Sequence, residues 1–300
     1  MKIPAVLKRG DKVAIVATAR KISTNELAPA IALLKSWDLV PVLGKSIDAE
    51  DHQFAGSGAW RAEDLQHMLD DPSIKAIWCA RGGYGTVRML DKLTLSAFAE
   101  KPKWILGYSD VTALHSTLHN LGIASLHGQM CLDVDQKTEA CRDSIKNALF
   151  GNLNALSVIY PSDELNRKGT ATGELIGGNL SVLFSLCGSA SAINTSGKIL
   201  FLEDLDEYLY HIDRMMQNLK RNGMLDNLAG LIIGGMTGMH DNTIAFGKSA
   251  EEIILDTVKD FDYPVCVNFP AGHITDNRTL MFGAEASLTV EVNVTTLKYI

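Results

Sequence analysis

Residues 104–122 read WILGYSDVTALHSTLHNLG, and this stretch decides how the fold is read. Trp104–Leu106 is an apolar run of strand length. Gly107-Tyr108-Ser109 breaks it, and Val111–Leu121 follows at once with helical spacing. The same rhythm recurs along the chain. Further strand-length runs are Val13–Ala17, Ala76–Cys79, Ile199–Leu202, Leu228–Ile233 and Pro264–Asn268. Helical patterns lie between them: Glu26–Trp37 places Leu27, Ile31 and Leu34 at spacings of four and three, and Arg61–Leu69 is similar. Alternating strands and helices predict an α/β fold with parallel strands. Residues 151–173, GNLNALSVIYPSDELNRKGTATG, interrupt the rhythm and are rich in Gly, Asn, Ser and Thr. They read as a crossing between two domains. The expected division is an N-terminal domain over 1–150, a linker over 151–172 and a C-terminal domain over 173–300.

Composition narrows the function. Acidic residues outnumber Lys and Arg by 35 to 28, for a net charge of −7, and no basic cluster stands out. A nucleic-acid partner is therefore not expected. No segment approaches the roughly 18 apolar residues of a membrane span. The start, MKIPAVLKRGDKVAIVATAR, lacks the long apolar core of a signal peptide. No membrane partner and a cytoplasmic location are expected. The five cysteines (Cys79, Cys131, Cys141, Cys187, Cys266) are scattered and contain no C-x-x-C, which fits reduced structural thiols.

Four segments could carry chemistry, each at the end of an apolar run. Ser109 sits where a strand bends into a helix, near N–H groups that favour developing negative charge. G-x-S-x-G is absent, and the plainer reading of Ser109 or Asp110 is a helix N-cap. Cys79-Ala-Arg-Gly-Gly-Tyr-Gly85 matches neither G-x-G-x-x-G nor a Walker loop. Its glycines would let backbone N–H groups approach a ligand, or would simply make a turn. Arg81 could pair with a substrate carboxylate or with a surface acid. Glu203 and Asp204 begin where Ile199–Leu202 ends, as ligand-binding residues do at carboxyl ends of parallel strands. Asp206 and Glu207 read as a solvated turn. His273 follows Phe269-Pro-Ala-Gly272 on a strand-end loop, a good place for a base. His115 and His119 form an i, i+4 pair, but no H-E-x-x-H and no third metal ligand accompany them. Ser, Glu and His at three strand ends match the logic of a nucleophile, a base and an acid that orients the base.

Together these motifs resemble the LD-carboxypeptidases, which include muramoyl-tetrapeptide carboxypeptidases and microcin-immunity peptidases. The resemblance runs through LKRGDKVAIVA, Phe54–Arg61, Arg81–Arg88, Pro102–His115, His127-Gly128, Gly173–Leu183, ILFLED, Tyr208–Met215 and Phe269–His273. It implies a flavodoxin-like parallel-sheet N-terminal domain and a smaller mixed α/β C-terminal domain. It implies a serine carboxypeptidase with a Ser-His-Glu triad of Ser109, His273 and Glu203. The oxyanion hole would be the N–H groups of Gly83 and Asp110, with Arg81 and Tyr84 binding substrate. No metal or organic cofactor is implied, and the expected assembly is a homodimer. The implied reaction is hydrolysis of the L,D bond before the terminal D-alanine of cell-wall tetrapeptides, in peptidoglycan recycling. An alternative is hydrolysis of peptide–nucleotide conjugates giving immunity; another, of a different class, is a non-catalytic binder of small peptides or sugars. Departures from the family pattern include the first strand's end, Ala17-Thr18-Ala19-Arg20, where relatives often have Ala-Pro-Ser. Such departures put specificity in question rather than chemistry.

Overall fold

A computed structural model describes all 300 residues. It contains two sheets. The first uses β1 (Lys12–Val16), β2 (Val40–Leu43), β3 (Ile74–Cys79), β4 (Trp104–Gly107) and β5 (Ser125–His127). The second uses β6 (Val158–Pro161), β7 (Gly169–Asn179), β8 (Ile199–Leu205), β9 (Gly230–Thr237) and β10 (Val265–Cys266). The chain then forms β11 (Leu280–Phe282), β12 (Glu285–Val290) and β13 (Val294–Tyr299). Eight α-helices accompany them: α1 (Ala28–Ser36), α2 (Gly58–Asp70), α3 (Ser96–Glu100), α4 (Thr112–Asn120), α5 (Glu139–Leu149), α6 (Leu180–Leu186), α7 (Leu209–Arg221) and α8 (Ala250–Thr257).

The first sheet has the order β11-β5-β4-β3-β1-β2. Strands β1 to β5 are parallel, and their near-continuous apolar sequences follow from helices covering both faces. Two apolar clusters fill those faces, one around Trp78, Trp104 and Leu126, the other around Ile77, Phe98 and Ile105. The sheet is nevertheless mixed, which corrects the expected purely parallel, flavodoxin-like one. Strand β11 arrives from the second half of the chain without a crossover helix and pairs antiparallel with β5.

The second sheet, β10-β9-β8-β7-β12-β13-β6, is parallel over its first four strands and antiparallel over the rest. Residues 158–161 and 169–172, inside the segment read as a crossing, belong to its strands. Strand β12 alternates buried and half-buried residues, as expected where one face is less covered. Helix α7 buries Ile212, Met215, Met216 and Leu219, one stripe at helical spacing, against α8 and the sheet. Helix α8 starts with a capping box between Ser249 and Glu252. The architecture is thus a two-domain α/β one. The domains meet closely where the Asn179 N–H donates to Thr112 Oγ1 at 3.0 Å. A Cβ at neighbouring Gly178 would lie 2.4 Å from that same oxygen. No helix is long and apolar enough to cross a membrane. The cysteines are free, and burial pushes the Cys79 thiol up to about 12.

Candidate active site

Strand β4 ends at Gly107, where a Cβ would lie 2.9 Å from a Val111 methyl. Tyr108 is extended, and Ser109 then takes a left-handed conformation at φ +60° before a short 3-10 turn leads into α4. For a residue with a Cβ this costs about 1–2 kcal/mol, so the surroundings must impose it. They do so from two sides. His115 on α4 bonds the Gly107 carbonyl at 2.9 Å and Ser125 Oγ at 2.8 Å; burial pulls its imidazole down to about 4. The Asp110 carboxylate accepts the Thr86 N–H at 2.8 Å. Burial raises this carboxyl, against the pull of Thr86, Gly85 and Arg61. No side chain caps the turn or α4, so neither Ser109 nor Asp110 serves as an N-cap.

The glycine loop after β3 packs directly on this turn. A Cβ at Gly82 would lie 3.4 Å from Ser109 Oγ and 2.9 Å from Met130 Cε. Gly83 has φ +106° and Gly85 φ +141°. Buried Arg61 fixes the loop from behind by donating to the carbonyls of Gly85 (2.9 Å) and Thr18. The N–H groups of Gly83 and Asp110 donate to no acceptor within the protein.

Glu203 and His273 come from the other domain. Glu203 lies inside β8, not beyond it, and is wholly buried. A register shift between Leu202 and Asp204 against β9 marks an extra residue at Gly234-Gly235. That bulge is cradled by the loop carrying His273: the Gly235 N–H donates to the Ala271 carbonyl at 2.9 Å. Glu203 Oε2 accepts from His273 Nδ1 at 2.6 Å and from the His273 backbone N–H at 3.2 Å. With a carboxylate oxygen as its acceptor, Nδ1 is the donor of this bond, which fixes the ring's orientation. Gly272, at φ +107°, permits the contact; a Cβ there would lie 2.8 Å from Glu203 Oε2. Its N–H is held by Asn277 Oδ1 at 2.8 Å. Asp204, next to Glu203, accepts from Asn179 Nδ2 (2.9 Å) and the Ser181 N–H (2.8 Å). Burial and then Glu203 push its carboxyl up to about 7.

Ser109, His273, Gly83 and Arg81 share one cleft of about 520 Å³ between the domains. Asp110 and Glu203 stand behind it. Tyr84 packs beside Phe54 (6.3 Å between centroids) and does not line the cleft. His119 turns to Glu174 at 3.2 Å, away from the contacts of His115. Several lining residues were given no site role by the sequence, among them Lys137, Asp133, Arg20 (named only within a departing stretch) and Tyr108, whose ring lies 4.7 Å from that of His273. Arg20 follows the carboxyl end of β1, which was the available signal. Lys137 follows a short 3-10 turn, Val134–Gln136, and belongs to no motif. His127, flagged by the sequence, is fully buried beside Tyr108 and Phe201, and neither ring nitrogen has a partner.

Residues 13–128 match the LD-carboxypeptidase N-terminal domain, and residues 172–288 match the LD-carboxypeptidase C-terminal domain. The chain is 34% identical to a probable murein peptide carboxypeptidase of Bacillus subtilis, over 95% of this chain and 91% of that one. It is similar to a solved muramoyltetrapeptide carboxypeptidase of Oxalobacter formigenes, at 25% identity and TM-score 0.86, covering 96% and 98% of the two chains. The solved microcin C7 self-immunity protein bound to aspartyl sulfamoyl adenosine has the same fold, at TM-score 0.88 and 21% identity, covering 99% and 98%.

Two expectations are corrected. A classical Ser-His-Glu triad does not describe the site. The active-site mutant solved for the microcin protein replaces a serine, an asparagine and a lysine. In the present chain, moreover, the hydrogen bond found at His273 joins it to Glu203 and none joins it to Ser109. What stands is a serine-type hydrolase of this superfamily. The exclusion of nucleic-acid-like partners also falls. Structures of the microcin protein hold adenosine monophosphate, aspartyl sulfamoyl adenosine and glutamyl sulfamoyl guanosine.

Proposed function

The chain belongs to the LD-carboxypeptidase family, and from that premise we propose that it cleaves an amide bond in a small charged peptide or peptide conjugate, with Ser109 as nucleophile. One observation carries the reading: a strained serine faces a cleft that also holds His273 and the unbonded Gly83 N–H, with Glu203 and the unbonded Asp110 N–H directly behind it. Ser109 Oγ attacks the carbonyl carbon and its proton passes toward His273 Nε2. The nucleophile and the His273–Glu203 pair act as separate parts that substrate brings into register. Glu203 holds the loop that carries His273 in place, through the His273 backbone N–H and Nδ1. The N–H groups of Gly83 and Asp110 receive the oxyanion; losing one such donor typically costs about 10²–10³ in kcat. The amine leaves with the proton from His273, and water hydrolyses the Ser109 ester.

Two substrates fit this class. A peptide–nucleotide conjugate has the larger number of solved neighbours behind it. A cell-wall tetrapeptide losing D-alanine is favoured by the curated relatives. Either one carries free amines and anionic groups, which suits a cleft lined by Arg20, Arg81 and Lys137 as well as Asp133, Asp206 and Glu207. The test is mass spectrometry of both substrates with the wild type and Ser109→Ala. Cleavage by the wild type alone is expected, and the substrate that reacts faster decides between the readings. Equal turnover by Ser109→Ala would remove Ser109 from the mechanism.

A further inference from the structure

We infer that Arg20 is the anion-recognition residue of this cleft, binding a carboxylate or phosphate-like group attached next to the scissile amide. The inference rests on the hydrolase reading above and assigns the substrate's charged end to one side chain. Every other charged side chain lining the cleft has a partner inside the protein. Arg81 is met by the Lys21 carbonyl (3.2 Å) and Glu26 (3.9 Å), and Lys137 by the Ile274 carbonyl (2.8 Å). Asp206 is paired with His240 (2.6 Å), Glu207 with His211 (2.5 Å) and Asp133 with Gln136 (3.0 Å). His273 is held by Glu203. Arg20 has no ion pair and no side-chain hydrogen bond, although acids line the same cleft.

Its position is specified rather than loose. Its backbone N–H donates to the Gly82 carbonyl at 3.4 Å. Its side chain lies across Gly83, where a Cβ would come within 2.5 Å of Arg20 Cδ and 2.6 Å of Nε. Only a glycine at φ +106° lets the stem settle there. The guanidinium is thus carried past one of the two proposed oxyanion donors, beside the carbonyl under attack. A planar, always-charged fork at that place suits a carboxylate or a phosphate in two-pronged contact.

The experiment compares kcat/KM for a tetrapeptide and for the same peptide with its terminal carboxylate converted to carboxamide, in the wild type, Arg20→Gln and Arg20→Lys. A parallel arm uses an aspartyl–nucleotide phosphoramidate and its neutral amide counterpart. The wild type should prefer the anionic member of a pair by about 10–100-fold, the range for a charge-assisted bidentate contact. Arg20→Gln should bring that ratio close to one, with Arg20→Lys between. The arm in which the ratio collapses identifies the source of the anion. Hydrolysis with a ratio unchanged by Arg20→Gln overturns the inference alone. Absence of hydrolysis of all four compounds by the wild type overturns the hydrolase reading and this inference together.

Discussion

Replacing Gly272 by alanine tests whether the contact between Glu203 and the His273 loop depends on a missing side chain. The backbone there has φ +107°, which residues with a Cβ rarely adopt, at a cost of about 1–3 kcal/mol. The added methyl would lie 2.8 Å from both Glu203 Cβ and Oε2, and 3.0 Å from Cγ. Glu203 is fully buried and cannot swing aside, so overlap adds about 1–3 kcal/mol more. The total, about 2–6 kcal/mol, is a large part of the roughly 5–15 kcal/mol that keeps a domain folded. Gly188 supplies the control: it has φ +79°, but a Cβ there meets nothing within 4 Å. Gly188→Ala carries the backbone strain without the collision. Thermal melts followed by circular dichroism should place Gly272→Ala at least about 2 °C below Gly188→Ala. Its surviving folded fraction should lose about 100-fold in kcat/KM, as expected when a reacting group moves by about 1 Å. If the two variants melt together and Gly272→Ala keeps wild-type kcat/KM, the close approach to Glu203 has no role.

Three further outcomes are expected. Ser109→Gly should abolish hydrolysis yet raise stability by about 1 kcal/mol, because glycine accepts φ +60° without strain; a lower Tm than wild type would refute the strain at this turn. Arg61→Leu should cost about 3–5 kcal/mol, since it leaves the buried Thr18 and Gly85 carbonyls without their donor; denaturant unfolding measures it, and a loss below about 1 kcal/mol would contradict the pinning role of Arg61. Asp204 has a carboxyl raised to about 7, so its effect on stability has a definite sign. Below about pH 4 it is protonated in both states and costs nothing; between there and about 7 only the unfolded chain gives up the proton, and stability falls as pH rises. The difference in Tm between the wild type and Asp204→Asn should therefore change over that window and level off above it; parallel curves would show that Asp204 is not held protonated.

The parallel core was legible because buried parallel strands are written as short apolar runs, and the ends of β1, β3 and β4 fell within a residue or two of those runs. Strand β2, Val40-Pro-Val-Leu43, was missed because it is short, exposed and carries a proline. The antiparallel strands were missed for a different reason. Thr- and Gly-rich β7 and Ser- and Thr-containing β12 keep one face partly wet, so their sequences resemble loop. At the site, Ser109, Glu203 and His273 were singled out because reactive groups favour strand ends; the structure joins Glu203 to His273, sets Ser109 in the same cleft as His273, and places Glu203 inside its strand. Tyr84 was misplaced because a residue inside a tight glycine loop can point to either side, and here it goes to Phe54. Gly234-Gly235 was an unread signal: a glycine pair in an apolar strand marks a bulge, and this bulge cradles the loop that brings His273 to Glu203.

The pairing of β11 with β5 has a consequence for the order in which the molecule is made. A ribosome adds roughly 5–20 residues per second, and N-terminal units begin to fold first. The first sheet cannot close its β5 edge until residues 280–282 emerge, close behind His273. Until then the nascent chain presents an unpaired strand edge, the kind of surface that invites wrong pairing. Completion of the fold and arrival of the last reactive side chain are thus nearly one event. A chain released before residue 273 would hold the serine on its strained turn but neither a finished sheet nor a partner for Glu203, so the cleft is assembled only once synthesis has passed β11.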